Sequence, residues 1–296
     1  MYGVREESKK GRIDISPSIL FDKMLEKQEI NRKCATHLDN KEVLIRKKTV
    51  DWLCETGESL HITSESIHKA VVYLDVIMSE NTIVESDLQP LGLVCLLIAA
   101  KMSEKDRPVA QIKSLLMKQM SILPTQIRRY EMQVLSLLRW DLQCVTPMDF
   151  VQFFVQQGIL FTNDRVLSST GPKLPSSKLA LTARQYAEFF ADMCLQEYAF
   201  LSTTSLHLAA SVLAAARKML KTENIWSPQL AMMTGVQYTE ISKTVEQIFK
   251  IYNKLFAKGK LGSMKTDKEN CPSKTGRLGS KSRNDSGLTH GAIRYV

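Results

Sequence analysis

The sequence predicts an all-α protein of two helical bundles in tandem, each of about five helices, followed by a disordered basic C-terminal tail. Three observations carry that expectation. Apolar residues recur at helical spacing from Lys41 to Phe256 with few interruptions. Aromatic residues are only 7% of the 296 positions, whereas leucine, alanine, methionine and isoleucine are plentiful, a balance that favours helices over sheets. The series also breaks at Thr146 and Pro147 and then restarts.

The chain divides into residues 1–40, a polar and partly flexible segment; 41–145, the first bundle; 146–257, the second; and 258–296, the tail. One short helix is expected near 17–30. In the first bundle the periodic positions define helices at 43–55 and at 67–78, the latter capped by Thr63 or Ser64. A third, at 88–101, is apolar nearly all round, as a helix surrounded by others must be. Pro108 opens a fourth and Pro124 a fifth that runs to Leu138, because a first-turn proline loses no helical hydrogen bond. The second bundle holds helices at 150–160, 179–196, 206–220, 229–233 and 241–255, with a Gly/Pro/Ser-rich connection at 163–177. No stretch has the period of a strand.

The formal net charge is +9, and 258–296 supplies +6 of it through nine Lys/Arg against three Asp/Glu. Such a tail attracts nucleic acid or acidic partners, or is simply a solvated segment. Residues 1–12 are polar and charged, which does not read as a secretory signal, and the longest apolar run, 91–100, is too short to cross a bilayer. Six scattered cysteines (Cys34, Cys54, Cys95, Cys144, Cys194, Cys271) form no C-x-x-C pair, and several lie in apolar runs, as reduced, buried thiols do. Catalytic, cofactor and metal motifs are all missing: no phosphate-binding glycine loop, no kinase signature, no nucleophile elbow, and no histidine spaced to share a metal with a cysteine or carboxylate. His207, set among alanines and leucines, reads as a hydrogen-bonded core histidine.

Two anomalies remain. Arg46 shares a stripe with Val50 and Leu53, and Asp75 shares one with Val71 and Met78. Charges pointing into a bundle are costly unless paired, so the two either meet or snorkel at the rim. Lys101 ends the most apolar helix, and Glu131 interrupts the stripe of Ile127, Val134 and Leu138. They are ordinary surface charges, or a charged pair amid Met102, Leu135 and Trp140, which is how a protein-binding hot spot is built.

At this point the sequence resembles a known family. The run IRKKTVDWL at 45–53, then Tyr73-Leu-Asp75, LLIAAK at 96–101, Tyr130-Glu131 and LRWDL at 138–142 is similar, in order and spacing, to the first box of the cyclins. The likeness is strong over 40–145 and looser through a second box to about 257. LQEYAFL at 195–201, the alanine-rich 205–220 and Trp226-Ser-Pro resemble the cyclin J branch.

The resemblance implies a non-catalytic regulatory subunit that activates a cyclin-dependent protein kinase in cell-cycle control, without cofactor or metal. It implies that Arg46 and Asp75 form a structural ion pair. Lys101 and Glu131 would hold the segment flanking the kinase's αC helix, with Met102, Leu135, Trp140 and Leu142 as apolar contacts. It implies a docking groove for basic-hydrophobic substrate or inhibitor peptides at Ile45, Thr49, Trp52, Glu55, Leu88 and Gln89. Here Thr49 replaces the usual leucine and Lys48 another apolar residue, so weak or altered docking is expected. Lys268, Glu269 and Asn270 resemble a degron read by the anaphase-promoting complex. A nuclear location, shared or not with the cytoplasm, follows from the same likeness, with no membrane partner. Tandem cyclin-like boxes also build DNA-binding transcription factors, but the charge concentrates in the tail and Lys101 and Glu131 are retained, which disfavours a nucleic-acid partner. A third alternative is a scaffold that binds without activating.

Overall fold

Helix α4 (Glu85–Ser103) is buried at every position from Leu91 to Ala100, and α9 (Ser205–Met219) at every position from Leu208 to Arg217. Each is the axis of one bundle in the computed structural model, which describes residues 16–28, 38–168 and 171–259. The physical reason is composition. Neither axial stretch leaves a polar face to turn towards water, so each must be wrapped by other helices.

Around α4 pack α2 (Asn40–Ser59), α3 (Ser64–Glu80), α5 (Asp106–Lys118) and α6 (Pro124–Leu137). Around α9 pack α7 (Pro147–Gln157), α8 (Ser177–Gln196) and α11 (Tyr238–Gly259), with the short α10 (Pro228–Thr234) preceding α11. The run of small residues from Ala214 to Ala216 lets the neighbours approach α9 closely, and all three alanines are fully buried. Gly57 serves the same end in the first bundle, since a Cβ there would stand 2.6 Å from Ile67 Cδ1 of α3.

Helix α1 (Pro17–Gln28) precedes the first bundle in sequence yet packs on the second. Its Met24 joins the second core, and its Phe21 ring stacks on Phe153 at 5.7 Å and meets Phe150 edge-on at 6.1 Å.

Helix starts follow their capping chemistry. Asp39 accepts from the Glu42 amide at 2.7 Å while Glu42 accepts from the Asp39 amide at 2.8 Å, so α2 begins three residues before its first periodic apolar position. Thr63, not Ser64, caps α3, and Thr146 forms a capping box with Asp149 at the head of α7. Pro108 lies in the first turn of α5 rather than at its first residue.

The connection expected to be irregular contains an antiparallel hairpin, β1 (Val166–Ser168) and β2 (Gly171–Lys173). It is anchored to the loop after α9: Leu167 N–H donates to Lys221 O at 2.9 Å and Glu223 N–H to Arg165 O at 2.8 Å. His207 is not a core residue. It sits in the first turn of α9, is partly exposed, and its Nδ1 lies 2.7 Å from the capping Thr204 hydroxyl. Cys54, Cys95 and Cys194 are buried and Cys144 is half-buried, none of them in a disulfide; Cys34 and Cys271 lie outside the described residues. Among the described residues no helix is long and apolar enough to cross a membrane.

Two arginines with no exposed surface organise the cores. Arg46 donates from Nε to Asp75 Oδ1 at 2.6 Å and from Nη2 to Oδ2 at 2.8 Å, so it does not snorkel at the rim. It also reaches the other bundle, donating to the α8 carbonyls of Leu195 at 3.3 Å and Gln196 at 3.4 Å. Those carbonyls belong to the helix's last turn, where intrahelical donors run out and the dipole is negative. Burial alone favours a neutral guanidine, but the Asp75 carboxylate outweighs it and holds the Arg46 pKa above its ordinary value.

Arg217 is the counterpart in the second bundle. Its guanidinium binds Asp164 through two contacts of 2.6 Å and the carbonyls of Ile159, Asn224 and Ile225 at 2.7, 2.7 and 2.9 Å. All five guanidinium N–H groups therefore have acceptors. Removing one partner strands a buried charge. Arg46→Ala, Asp75→Ala, Arg217→Ala and Asp164→Ala are each expected to lower unfolding free energy by about 3–5 kcal/mol in urea titrations. A loss below about 1 kcal/mol at either pair would contradict this account.

Candidate functional site

Lys101 occupies the last turn of α4, where a cation is favoured by the helix dipole. Its Nζ meets Glu131 Oε2 of α6 at 2.6 Å. The Lys101 side chain is 38% exposed and that of Glu131 14%, so the pair is open to a partner. Next to Lys101, Met102 is 66% exposed. One turn along α6 from Glu131 comes the half-buried Leu135, on the same face.

Trp140 is displayed by an unusual turn. Helix α6 ends with Arg139 at φ 52° and Trp140 at φ 60°, two consecutive non-glycine residues in the left-handed region. The Trp140 N–H donates to Leu135 O at 2.8 Å and the Arg139 N–H to Ser136 O at 3.0 Å, closing the helix as a glycine usually would. Left-handed backbone costs an L-residue about 1–2 kcal/mol. The return on that strain is an indole 61% exposed at the helix end. The chain is fixed again at half-buried Leu142, whose carbonyl accepts from Tyr73 Oη at 2.9 Å.

The end of α4 is itself pinned. Glu104, just past it, accepts from Thr63 N at 3.0 Å, Thr63 Oγ1 at 2.5 Å and Ser66 Oγ at 2.8 Å, tying the Lys101 turn to the head of α3. Partial burial pushes the Glu104 carboxyl up, but these hydrogen bonds outweigh it and the net shift is downward.

The second surface lies on α2 and α4. Thr49 and Leu88 are buried, whereas Ile45 and Trp52 are half-buried and Lys48, Glu55 and Gln89 exposed. Thr49 therefore takes little part in the open surface. Its methyl stands 3.8 Å from where a Gly92 Cβ would be, so threonine at 49 serves the close approach of α2 to α4. What remains open is a small apolar strip of Ile45 and Trp52 beside the Lys48 ammonium. Lys268, Glu269 and Asn270 lie outside the described residues, as does the tail from residue 260.

Sequence reasoning missed the ties between the bundles. Lys47 pairs with Glu197, His68 Nε2 lies 3.0 Å from Asp192 Oδ1, and Lys69 lies 3.6 Å from Asp149. It also missed Arg217, although that residue continues the stripe Leu206, Ala210, Leu213 at helical spacing, the signal that singled out Arg46.

Comparison with known proteins fits this architecture. Residues 19–143 match the cyclin N-terminal domain and residues 145–270 the cyclin C-terminal domain. The chain belongs to the cyclin family. It is 28% identical over 222 residues to the G1/S-specific cyclin-D1 of Xenopus laevis, covering 72% of this chain and 71% of that one. Against human cyclin-D1 it is 28% identical over 213 residues, 71% of this chain and 64% of the relative. Against cyclin-J of Xenopus laevis it is 24% identical over 210 residues, 69% of this chain and 54% of the relative. The match thus takes in between about half and just over two thirds of these relatives' length. Among solved structures, a viral cyclin from herpesvirus saimiri superposes with a TM-score of 0.59 at 18% identity, over 79% of this chain and 95% of that one. The CAK complex of Chaetomium thermophilum bound to ATP-gamma-S gives 0.53 at 15% identity, over 81% and 75%. At such identities the superpositions speak to the fold alone.

Two measurements check the site's construction. Arg139→Gly should hold or raise stability, by up to about 1 kcal/mol, because glycine relieves the left-handed strain at the cost of one exposed ion pair to Glu80; a clear loss would refute the strain. Glu104→Gln should be less stable than wild type at neutral pH. Because the folded carboxyl is depressed, its contribution is complete above the unfolded value of about 4.3 and is lost as pH falls through the folded value. The gap between the two proteins should therefore close only below about pH 4; a gap that persists unchanged into stronger acid would dismiss the Glu104 tie.

Proposed function

We propose that this protein is a regulatory subunit that binds and activates a cyclin-dependent protein kinase in cell-cycle control and supplies no catalytic group itself. The observation that carries the reading is the Lys101–Glu131 pair at 2.6 Å, with exposed Met102 next to Lys101 in sequence and exposed Trp140 at the turn that ends the helix carrying Glu131. A charged pair with hydrogen-bonding capacity to spare, beside unburied methionine and tryptophan, suits recognition of a partner's main chain and apolar side chains.

The mechanism is a population shift. An active kinase needs its β3 lysine paired with the αC glutamate and an ordered activation loop. A rigid helical face that binds the αC segment only in its inward position draws the equilibrium there, by its difference in affinity for the two arrangements. The pinning of α4 by Glu104 and of α6 by the turn at 139–140 keeps that face preformed. The Ile45 and Trp52 strip is the docking site we assign to substrate or inhibitor peptides, with Lys48 weakening those of strongly basic character. We place the complex in the nucleus on the likeness to the cyclins, to which the sparse basic residues at 274–277 and 281–283 add little.

The test is capture of candidate cyclin-dependent kinases by wild type and by Lys101→Ala/Glu131→Ala, followed by a kinase assay of the eluate. The double variant should stay folded, since an exposed pair contributes at most about 1 kcal/mol. Its kinase affinity should fall roughly 30-fold, as for a central hot spot. Equal capture by both proteins would remove this face from the mechanism, and a captured but inactive kinase would remove the activating role.

A further inference from the structure

On α6, Arg128, Glu131, Met132 and Leu135 stand at i, i+3, i+4 and i+7, so they share one face beside the buried seam of Ile127, Val134 and Leu138. Three of the four have a part fixed by their surroundings or their chemistry. Glu131 is held by Lys101 at 2.6 Å, Leu135 is half-buried, and Met132, 48% exposed, adds apolar surface. Arg128 has no such part. It is exposed and makes no hydrogen bond or ion pair among the described residues.

Lys101 and Glu131 cancel each other, so Arg128 is the unbalanced charge of this face. The chain around it has the same sign. From Lys101 to Arg139 there are eight Lys/Arg against three Asp/Glu, whereas the other described residues hold eighteen against twenty-one. The end of α4, α5 and α6 thus carry +5 while the rest of the described chain carries −3. A field of that sign draws in an acidic surface and repels a basic one. Once docked, a guanidinium without a counter-charge is costly, because its water is lost and nothing replaces it.

We propose that Arg128 selects the partner kinase: the kinase segment seated on α6 carries a carboxylate that pairs with this guanidinium. The selection rests on the kinase-binding reading above and adds to it the chemistry of the partner. A guanidinium and a carboxylate pair through two parallel N–H···O bonds, which fixes register as well as charge. A kinase with a basic or apolar side chain at that point leaves Arg128 repelled or bare, and is selected against. A nucleic-acid backbone fits the face poorly, because Glu131 repels phosphate and Met132 and Leu135 offer it nothing.

The experiment measures binding of the full chain to the cyclin-dependent kinase it captures, by surface plasmon resonance at low and high salt. Arg128→Glu should weaken binding about tenfold, and its affinity should depend less on salt than that of wild type. Arg129→Glu makes the same charge change roughly 100° away around the helix, and should weaken binding less than about twofold. Both positions are exposed, so the variants fold. Carboxylates of the kinase segment flanking αC are then replaced by lysine one at a time. One such variant should bind Arg128→Glu better than it binds wild type, a rescue that disturbance of the Lys101–Glu131 pair does not give. If Lys101→Ala/Glu131→Ala weakens capture while Arg128→Glu binds as wild type does, or if no lysine replacement restores binding, the selection by Arg128 is overturned and the kinase-binding reading stands. If that double variant captures as wild type does, or no kinase is captured, both fall together. Loss of duplex-DNA binding in Arg128→Glu, with kinase binding unchanged, would give the face to nucleic acid instead.

Discussion

The guanidinium of Arg46 has no surface in contact with water and touches three helices at once. It leaves α2, takes both oxygens of Asp75 on α3, and ends on the last carbonyls of α8 in the other bundle. A charge in that position is tolerable only when every nearby helix is in place, because desolvation costs several kcal/mol per ion and is repaid only by good geometry. The crossing of α2 over α3 and the seating of α8 against both are therefore not independent choices. Lys47 to Glu197 and His68 to Asp192 repeat the link on either side, so the relation between the bundles is specified polar contact by polar contact. The α4–α6 face inherits this rigidity, since α4 packs directly on α2 and α3.

Arg217 solves the same problem within a single bundle. Its acceptors are one carboxylate and three loop carbonyls, all from the segments that lead into α8 and α10. Where Arg46 joins helix to helix, Arg217 holds loops against the end of an axial helix. Buried ion pairs of this kind add little stability over an apolar core of equal volume. What they supply is intolerance of alternatives, since any other arrangement leaves the charge bare.

The helices were legible because an apolar stripe at helical period survives any tertiary context, and because proline, threonine and serine mark helix starts by chemistry that is local. The hairpin at 166–173 was not legible, since three-residue strands are too short to show alternation and Val166 bridges Thr222, a partner more than fifty residues away. Arg46 and Asp75 were visible as misplaced charges; that they meet depends on how α2 crosses α3, which periodicity does not encode. Arg217 escaped notice because its carboxylate partner, Asp164, sits in a loop with no pattern around it. His207 was misread for the opposite reason: its alanine and leucine neighbours in sequence point to other faces of α9. Thr49 looked like a flaw in a groove because the glycine that explains it, Gly92, lies on another helix.

The position of α1 has a consequence for synthesis. The second core takes Phe21, Met24 and Leu25 from one side of the first bundle and everything else from the other, so in sequence the first bundle interrupts the second. Translation delivers α1 before any of the surfaces it packs on. Its phenylalanine must travel with the nascent chain while the first bundle assembles, and it finds Phe150 and Phe153 only once some hundred and thirty residues more have followed. The earliest described helix to be made thus waits for its partners until the whole first bundle has been synthesised, and for that interval its apolar side stays uncovered.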